Sequence, residues 1–284
     1  MTSTLQTEEK FSRILLKLSG EALAQDNDDL VQEIMTIISE VLSPTATDEQ
    51  FKQLAARISL TLAKRRMGLN YETLLFLATE VVELRKKYNT EVAIVIGGGN
   101  FWRGAKGAMS GMNRVRADYM GMLATVINSL AFKDTLQRLD QDTRVQSAIK
   151  MDEVCEPVII DRAKRHLEKG RVVIFAAGTG HAYFTTDTTA ILRAIEVDAQ
   201  VVCAGKNDIE GLYTADPKLD PNATLIDETT HMFAIMNELG AFDTTAHSLA
   251  HDNGLPVIAY DLMGHGNLEK IILRQPVGTL LTAA

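Results

Sequence analysis

The 284 residues are 46% hydrophobic and 23% charged, enough apolar material for one large domain or two small ones in an ordinary globular protein. A net charge of −8 argues against a surface that coats nucleic acid, and no apolar run approaches the ~20 residues of a membrane span. The two cysteines, Cys155 and Cys203, lie in separate segments without a CxxC partner, which speaks against a disulfide scaffold or zinc site and fits a reducing cytoplasm.

Residues 1–10 are polar, lack the apolar core of a secretory signal, and are expected to form a tail. Residues 13–18 (RILLKL) predict a strand that ends at Ser19-Gly20, and an acidic break follows at 25–29. Helical spacing of Leu30, Ile34, Ile37, Ile38 and Val41 predicts a helix over 30–42, stopped by Ser43-Pro44. A second helix is expected to carry Phe51, Leu54, Ile58 and Leu62 and to end near Gly68, and a third to run from about 71 to 87. Five apolar residues at 92–96 predict a buried strand that enters Gly97-Gly98-Gly99. Further on, helices are expected at 117–139, 161–169 and 187–194, and strands at 143–149, 171–177, 201–204 and 255–261, with a final edge strand at 278–281. Strands alternating with helices predict an α/β fold with a largely parallel central sheet covered on both faces.

In such sheets ligands sit at the carboxyl ends of the strands, and three strand ends here carry chemistry suited to phosphate. Lys17 lies near the end of a buried strand, a costly position unless the ammonium meets an anion or snorkels from an edge. The loop 97–99 can turn bare N–H groups toward a phosphate, and Arg103 just beyond it is either a bidentate clamp or a solvated surface residue. The third end runs from Ala176 through Gly178, Thr179, Gly180, His181, Ala182, Tyr183, Phe184, Thr185 and Thr186 to Asp187. Its two aromatics suit a base, while Thr185, Thr186 and Asp187 are equally good helix caps. His181 reads as a polar loop residue, since no second metal ligand sits at helical or hairpin spacing. Neither a GxxxxGK[ST] pattern nor a GxGxxG after the first strand is present, so this is phosphate chemistry without those two fingerprints.

At these residues the chain resembles the bacterial UMP kinases of the amino-acid kinase superfamily. The matching runs are LLKLSGEAL (15–23), VIGGGNFWRG (95–104), RADYMGMLATVIN (116–128), DTRVQSAI (142–149), HLEKGRVVIFAAGTG (166–180), FTTDT (184–188), GLYTADP (211–217) and DNGLP (252–256). The resemblance implies a single three-layer α/β domain over 1–284, with a UMP-binding lobe at 11–170 and a mainly ATP-binding lobe at 171–284. It implies phosphoryl transfer from Mg2+-ATP to UMP in pyrimidine nucleotide biosynthesis. Lys17 would then contact the transferring group and Asp187 would hold that lysine. Leu18, Ser19, Gly20, Gly99 and Arg103 would line the ATP phosphates, with Arg103 among the catalytic residues. Gly98 would meet the UMP phosphate, Asp118 its ribose, and 179–186 the uracil and phosphate. Asn207, Tyr213 and Asp216 would hold the adenosine. The resemblance also implies a cytoplasmic homohexamer, with GTP as an activator and UTP as an inhibitor, and neither a resident protein-bound metal nor nucleic-acid or membrane partners.

Two departures stand out. His181 occupies the place where the family usually carries asparagine, so base preference or pH dependence is expected to differ. Residues 25–67 replace a short glycine-containing loop with what reads as two amphipathic helices, which puts GTP regulation through that loop in question. Two other readings remain beside the UMP kinase: a sibling kinase acting on a carboxylate or carbamate, and a nucleotide-binding regulatory protein of the same fold that has lost catalysis.

Overall fold

The computed structural model describes residues 10–24, 49, 52, 68–207, 209–215, 220, 222–239 and 242–284. The helices expected within 30–42 and 47–68 lie almost wholly outside the described residues, as does Asp216.

Strand β1 (Arg13–Leu18) is flanked by β2 (Glu91–Ile96) and β6 (Val201–Lys206), both parallel to it. The full nine-stranded order is β4-β3-β5-β2-β1-β6-β10-β11-β9, where β3 is Thr143–Ser147, β4 Glu156–Pro157, β5 Val172–Ala176, β9 Glu228–Thr230, β10 Val257–Asp261 and β11 Thr279–Thr282. Within this sheet, among the described residues, β10–β11 is the one antiparallel pairing. A short hairpin of β7 (Leu212–Tyr213) and β8 (Leu225–Ile226) stands apart. The strand expected at the edge over 278–281 is therefore interior, because the three-residue β9 adds itself beyond it. Three residues as polar as Glu228-Thr229-Thr230 have no apolar alternation to announce a strand.

Because side chains alternate along a strand, each central strand feeds two cores. Ile14, Leu16 and Leu18 of β1 pack with Val92, Ile94 and Ile96 of β2 under α1 (Tyr71–Tyr88), α3 (Arg114–Arg138) and α8 (Asn267–Ile272). Leu15, Ala93 and Val95 face the opposite layer of α4 (Ile160–Glu168), α5 (Thr186–Glu196), α6 (His231–Met236) and α7 (Thr244–Asp252). A short α2 (Gly104–Met109) and a 3-10 turn (Gly20–Leu23) follow the ends of β2 and β1. At roughly 1.5–3 kcal/mol for each large aliphatic side chain removed from water, these two cores fix the strand register against slippage. That register also decides where Lys17 points. It shares the parity of Leu15, so its side chain enters the α5 layer at the carboxyl end of the sheet.

Candidate active site

Lys17 is 6% exposed, and its Nζ lies 2.6 Å from Asp187 Oδ1. Asp187 is delivered by the start of α5. Thr185 caps that helix, its Oγ1 accepting from the N–H groups of Asp187 (3.0 Å) and Thr188 (3.3 Å). Thr188 Oγ1 donates to both carboxylate oxygens of Asp243 at 3.0 Å, the Thr185 hydroxyl donates to the same carboxylate, and Asp243 in turn caps α7. Burial opposes ionisation of Asp187, but the adjacent Lys17 and Lys206 ammoniums outweigh it and hold the carboxyl below its usual range. Lys206, at the end of β6, is pushed down to about 8 by burial and by Lys17, against the pull of Asp187. Its Nζ lies 5.0 Å from the centre of the Phe242 ring. Two lysines thus act on the Asp187 carboxylate, and this concentration of positive charge at the floor suits an anion.

Above this floor the loops after β1 and β2 touch backbone to backbone. A Cβ on Gly20 would stand 2.5 Å from Gly97 O and 2.6 Å from Gly99 N, and one on Gly98 would stand 2.7 Å from Gly121 O of α3. Only hydrogen fits at either place, and the approach leaves main-chain groups at the cleft surface. The loop is braced from beneath by two buried amides. Asn128 Nδ2 donates to Gly97 O (2.6 Å) and to Asn100 Oδ1 (2.7 Å), and Asn100 Nδ2 returns a bond to Asn128 Oδ1 (2.9 Å). Arg103 pairs with Glu21 across the mouth, both about half exposed, so this contact is energetically light.

The loop after β5 forms the far wall. Ala177 and Tyr183 take left-handed backbone (φ 61° and 70°), as do Gly178 and Gly180. For non-glycine residues this conformation persists only where surrounding contacts hold it. Here Thr125 Oγ1 of α3 accepts from Ala177 N at 2.8 Å, and Asp118 Oδ2 accepts from Tyr183 N at 2.8 Å. Arg114 Nε donates to both Asp118 oxygens at 2.9 Å, and its guanidinium lies over the Tyr183 ring at 5.3 Å.

The three walls enclose a cleft of about 440 Å3. Of the residues singled out from sequence, Lys17, Ser19, Gly20, Gly98, Gly99, Arg103, Asp118 and Asp187 line it, joined from the β5 loop by Thr179, His181, Phe184, Thr185 and Thr186. Gly180, Ala182 and Tyr183 do not line it, although Tyr183 contributes its N–H to Asp118. The Leu18 side chain is wholly buried in the core, and only its carbonyl, accepting from Gly97 N at 2.9 Å, reaches the loop. Asn207 follows β6 and Tyr213 lies in the β7–β8 hairpin, hydrogen-bonded to Glu210, both outside the cleft. Sequence reasoning did not assign Glu21, Trp102, Arg114 or Thr125 to the site, all of which line it. Lys206 and Asp243 beneath the cleft were also missed. Lys206 carried a signal, since it ends a buried strand much as Lys17 does. Among the described residues no group of three or more potential metal ligands occurs.

Fold and cleft together define an α/β protein shaped to hold anionic groups against a buried lysine–aspartate pair. The chain belongs to the amino acid kinase family, which residues 59–258 match. It is similar in structure to a UMP kinase from Bacillus anthracis, with 30% identity, a TM-score of 0.79, and 96% of this chain and 97% of that one covered. It is similarly related to a UMP kinase from Ureaplasma parvum, with 30% identity, a TM-score of 0.76, and 96% and 99% covered. A uridylate kinase from Archaeoglobus fulgidus, 20% identical with a TM-score of 0.61 over 94% and 99% of the two chains, shares the fold.

Proposed function

We propose that the protein transfers the γ-phosphoryl group of ATP to UMP, giving ADP and UDP. The observation that carries this reading is the buried Lys17–Asp187 pair at the base of a glycine-walled cleft, in a chain similar over 96% of its length to two UMP kinases. An oxygen of the UMP phosphate bonds to the γ-phosphorus as the bond to the β,γ-bridging oxygen breaks, and ADP leaves with that electron pair. The attacking oxygen is already anionic, so positioning and charge neutralisation suffice and no general base is needed.

Lys17 and Lys206 neutralise the equatorial oxygens, and Asp187 keeps Lys17 aimed. Main-chain N–H groups of Gly98 and Gly99 and of Ser19-Gly20 cradle phosphates, with Arg103 at the mouth exchanging Glu21 for a nucleotide phosphate. Asp118 accepts from the UMP ribose, the 179–186 loop reads the base, and Asn207, Tyr213 and Asp216 take the adenosine. Asp187, the cleft carboxylate at the floor beside Lys17, would help hold a Mg2+ carried on the ATP phosphates. When bound, that ion supplies Lewis-acid neutralisation of the triphosphate.

The same reading gives a UMP lobe at 11–170, an ATP lobe at 171–284 and a place in pyrimidine nucleotide supply. It also makes the protein a cytoplasmic homohexamer answering to GTP and UTP. Self-association is supported by the half-exposed stripe Tyr119, Met120, Leu123 and Ile127 on α3. Among the described residues no helix is long and apolar enough to cross a membrane. The test is ADP release from Mg2+-ATP with UMP, CMP, dTMP or GMP, each with and without GTP or UTP, alongside a light-scattering mass. Turnover confined to UMP is expected. A folded protein that releases no ADP with UMP overturns the proposal.

A further inference from the structure

In the middle of α3 sits a wholly buried amide that touches neither the cleft nor any charged group. Asn128 is 0% exposed, a costly place for an amide unless its hydrogen bonds are made. A second amide and two main-chain carbonyls make them. Asn128 Nδ2 donates to Gly97 O (2.6 Å) and Asn100 Oδ1 (2.7 Å), while Asn100 Nδ2 donates to Asn128 Oδ1 (2.9 Å) and Gly68 O (2.8 Å). A carbonyl only accepts, so each amide turns its nitrogen to a main-chain oxygen and its own oxygen to the other amide. Turning either one over loses bonds on both of its sides, which leaves the pair a single arrangement.

The loop gripped by this pair has no preferred arrangement of its own. The Gly97–Gly98 peptide has glycine on both sides, so sterics leave it free to present either its carbonyl or its N–H to the cleft that both residues line. In a trans peptide those two groups point in opposite directions, and none of the described peptides is cis. Asn128 holds the Gly97 carbonyl from the core side, which turns the Gly98 N–H the other way. One peptide on, Gly98 O accepts from Phe101 N and Trp102 N, both at 3.0 Å, and this fixes the Gly99 N–H as well. Gly97 N donates to Leu18 O at 2.9 Å, whereas no described residue accepts from the N–H of Gly98 or Gly99.

We infer that Asn128 is a positioning residue for phosphoryl transfer: by holding the Gly97 carbonyl against the core, it aims the Gly98 N–H at the phosphate of the nucleoside monophosphate. The inference rests on the transfer reading for which phosphate is met, while its structural content needs only an anion in the cleft. The N–H is then oriented before the ligand arrives, and the bond it gives is charge-assisted. Without the amide, rotation of one peptide puts a carbonyl oxygen against the phosphate and replaces attraction with repulsion. Asn100 completes the device, because it decides which end of the Asn128 amide meets Gly97.

Two readouts test it. In wild-type protein labelled with nitrogen-15 at glycine and asparagine, the Gly98 N–H resonance is expected to move when UMP or inorganic phosphate is added and to remain in place with uridine. The buried Asn128 side-chain amide, joined to that N–H through the Gly97 carbonyl, is expected to move with it. A Gly98 or Asn128 resonance that ignores both anions overturns the proposal, whether or not any variant folds. Second, N128D keeps the shape but sets an oxygen against Gly97 O, and it is expected to raise KM for UMP about thirtyfold and lower kcat about tenfold, with KM for ATP within about threefold of wild type. A folded N128D that melts at lower temperature yet keeps the wild-type KM for UMP means that the amide only holds the fold, and overturns the proposal. Wild-type protein that binds UMP without releasing ADP would instead sink the transfer reading, while the two amide resonances still decide this one.

Discussion

The floor of the cleft and its rim are built on the same strand ends by opposite means. On the floor, Lys17 is 6% exposed, and the glycines of two loops press so closely that no Cβ fits between them. On the rim, Tyr183 is 66% exposed and Phe184 51%, and the loop that carries them is held by single hydrogen bonds to Thr125 and Asp118. A floor residue is over-determined by packing, so a change there disturbs the fold or abolishes the chemistry. A rim residue touches little besides solvent and ligand, so a change there alters which ligand is held. Chemistry is thereby placed where substitution is costly and selectivity where it is cheap.

The sharpest way to break this division is at Lys17. K17M keeps the stem and removes the charge, leaving Asp187 buried with Lys206 alone, and kcat is expected to fall by about 10³-fold with smaller changes in KM. Single-turnover kinetics with a circular dichroism control check it. A variant within tenfold of wild type would mean the floor is not where transfer occurs. The next effect is on folding. In G98A the new methyl would lie 2.7 Å from Gly121 O and 2.9 Å from the Ala124 Cβ, so α3 or the loop must shift. A stability loss of about 1–3 kcal/mol is expected by denaturant titration, whereas an equally conservative change at the exposed Phe184 should cost almost none.

The floor should also show a pH signature that the rim lacks. Lys206, depressed to about 8, is charged below that pH and neutral above it. Its contribution to the rate is therefore nearly complete at pH 7 and lost as pH rises, and kcat is expected to fall roughly tenfold between pH 7 and 9. A flat profile to pH 9 would remove Lys206 from the transition state. At the boundary between the two regions, D118N keeps the shape but loses the charge that now accepts from Tyr183 N and Arg114. It is expected to raise KM for UMP about tenfold while leaving kcat nearly unchanged. A fall in kcat with KM intact would move Asp118 from the rim to the floor.

The floor was the more legible region in the sequence, for a physical reason. A lysine in a buried strand can snorkel from an edge and three glycines can serve any tight turn, but both at strand ends that ask for the same anion made Lys17 and the 97–99 loop stand out together. Thr185 read equally well as a cap or a cleft residue, and the structure makes it both. What stayed hidden was held by contacts distant in sequence. Asp243 looks like any surface acid until α7 brings it to Thr185 and Thr188. The segment over α7, TTAHSLAHD, has too little apolar periodicity to announce a helix, and β9 is three polar residues paired to β11. Lys206 ended a strand that the sequence did reveal, but its partnership with Lys17 depends on β6 lying beside β1, which no local pattern encodes.

The smallest expected effect concerns His181, where the chain departs from the asparagine its resemblance leads one to expect. Its Nδ1 lies 3.1 Å from Thr179 O, which can only accept, so the ring proton sits on Nδ1 and Nε2 is left as an acceptor. Uracil offers a donor at N3 whereas cytosine offers an acceptor there, so a bare Nε2 in the cleft favours the first and repels the second. An asparagine presents a donor as well as an acceptor and loses part of that discrimination. H181N is expected to shift the UMP-to-CMP ratio of kcat/KM toward CMP by about threefold, with stability unchanged. Competition assays with both monophosphates measure this directly. An unchanged ratio would place base reading elsewhere on the rim, and a collapse of UMP turnover would mean that this loop belongs to the floor after all.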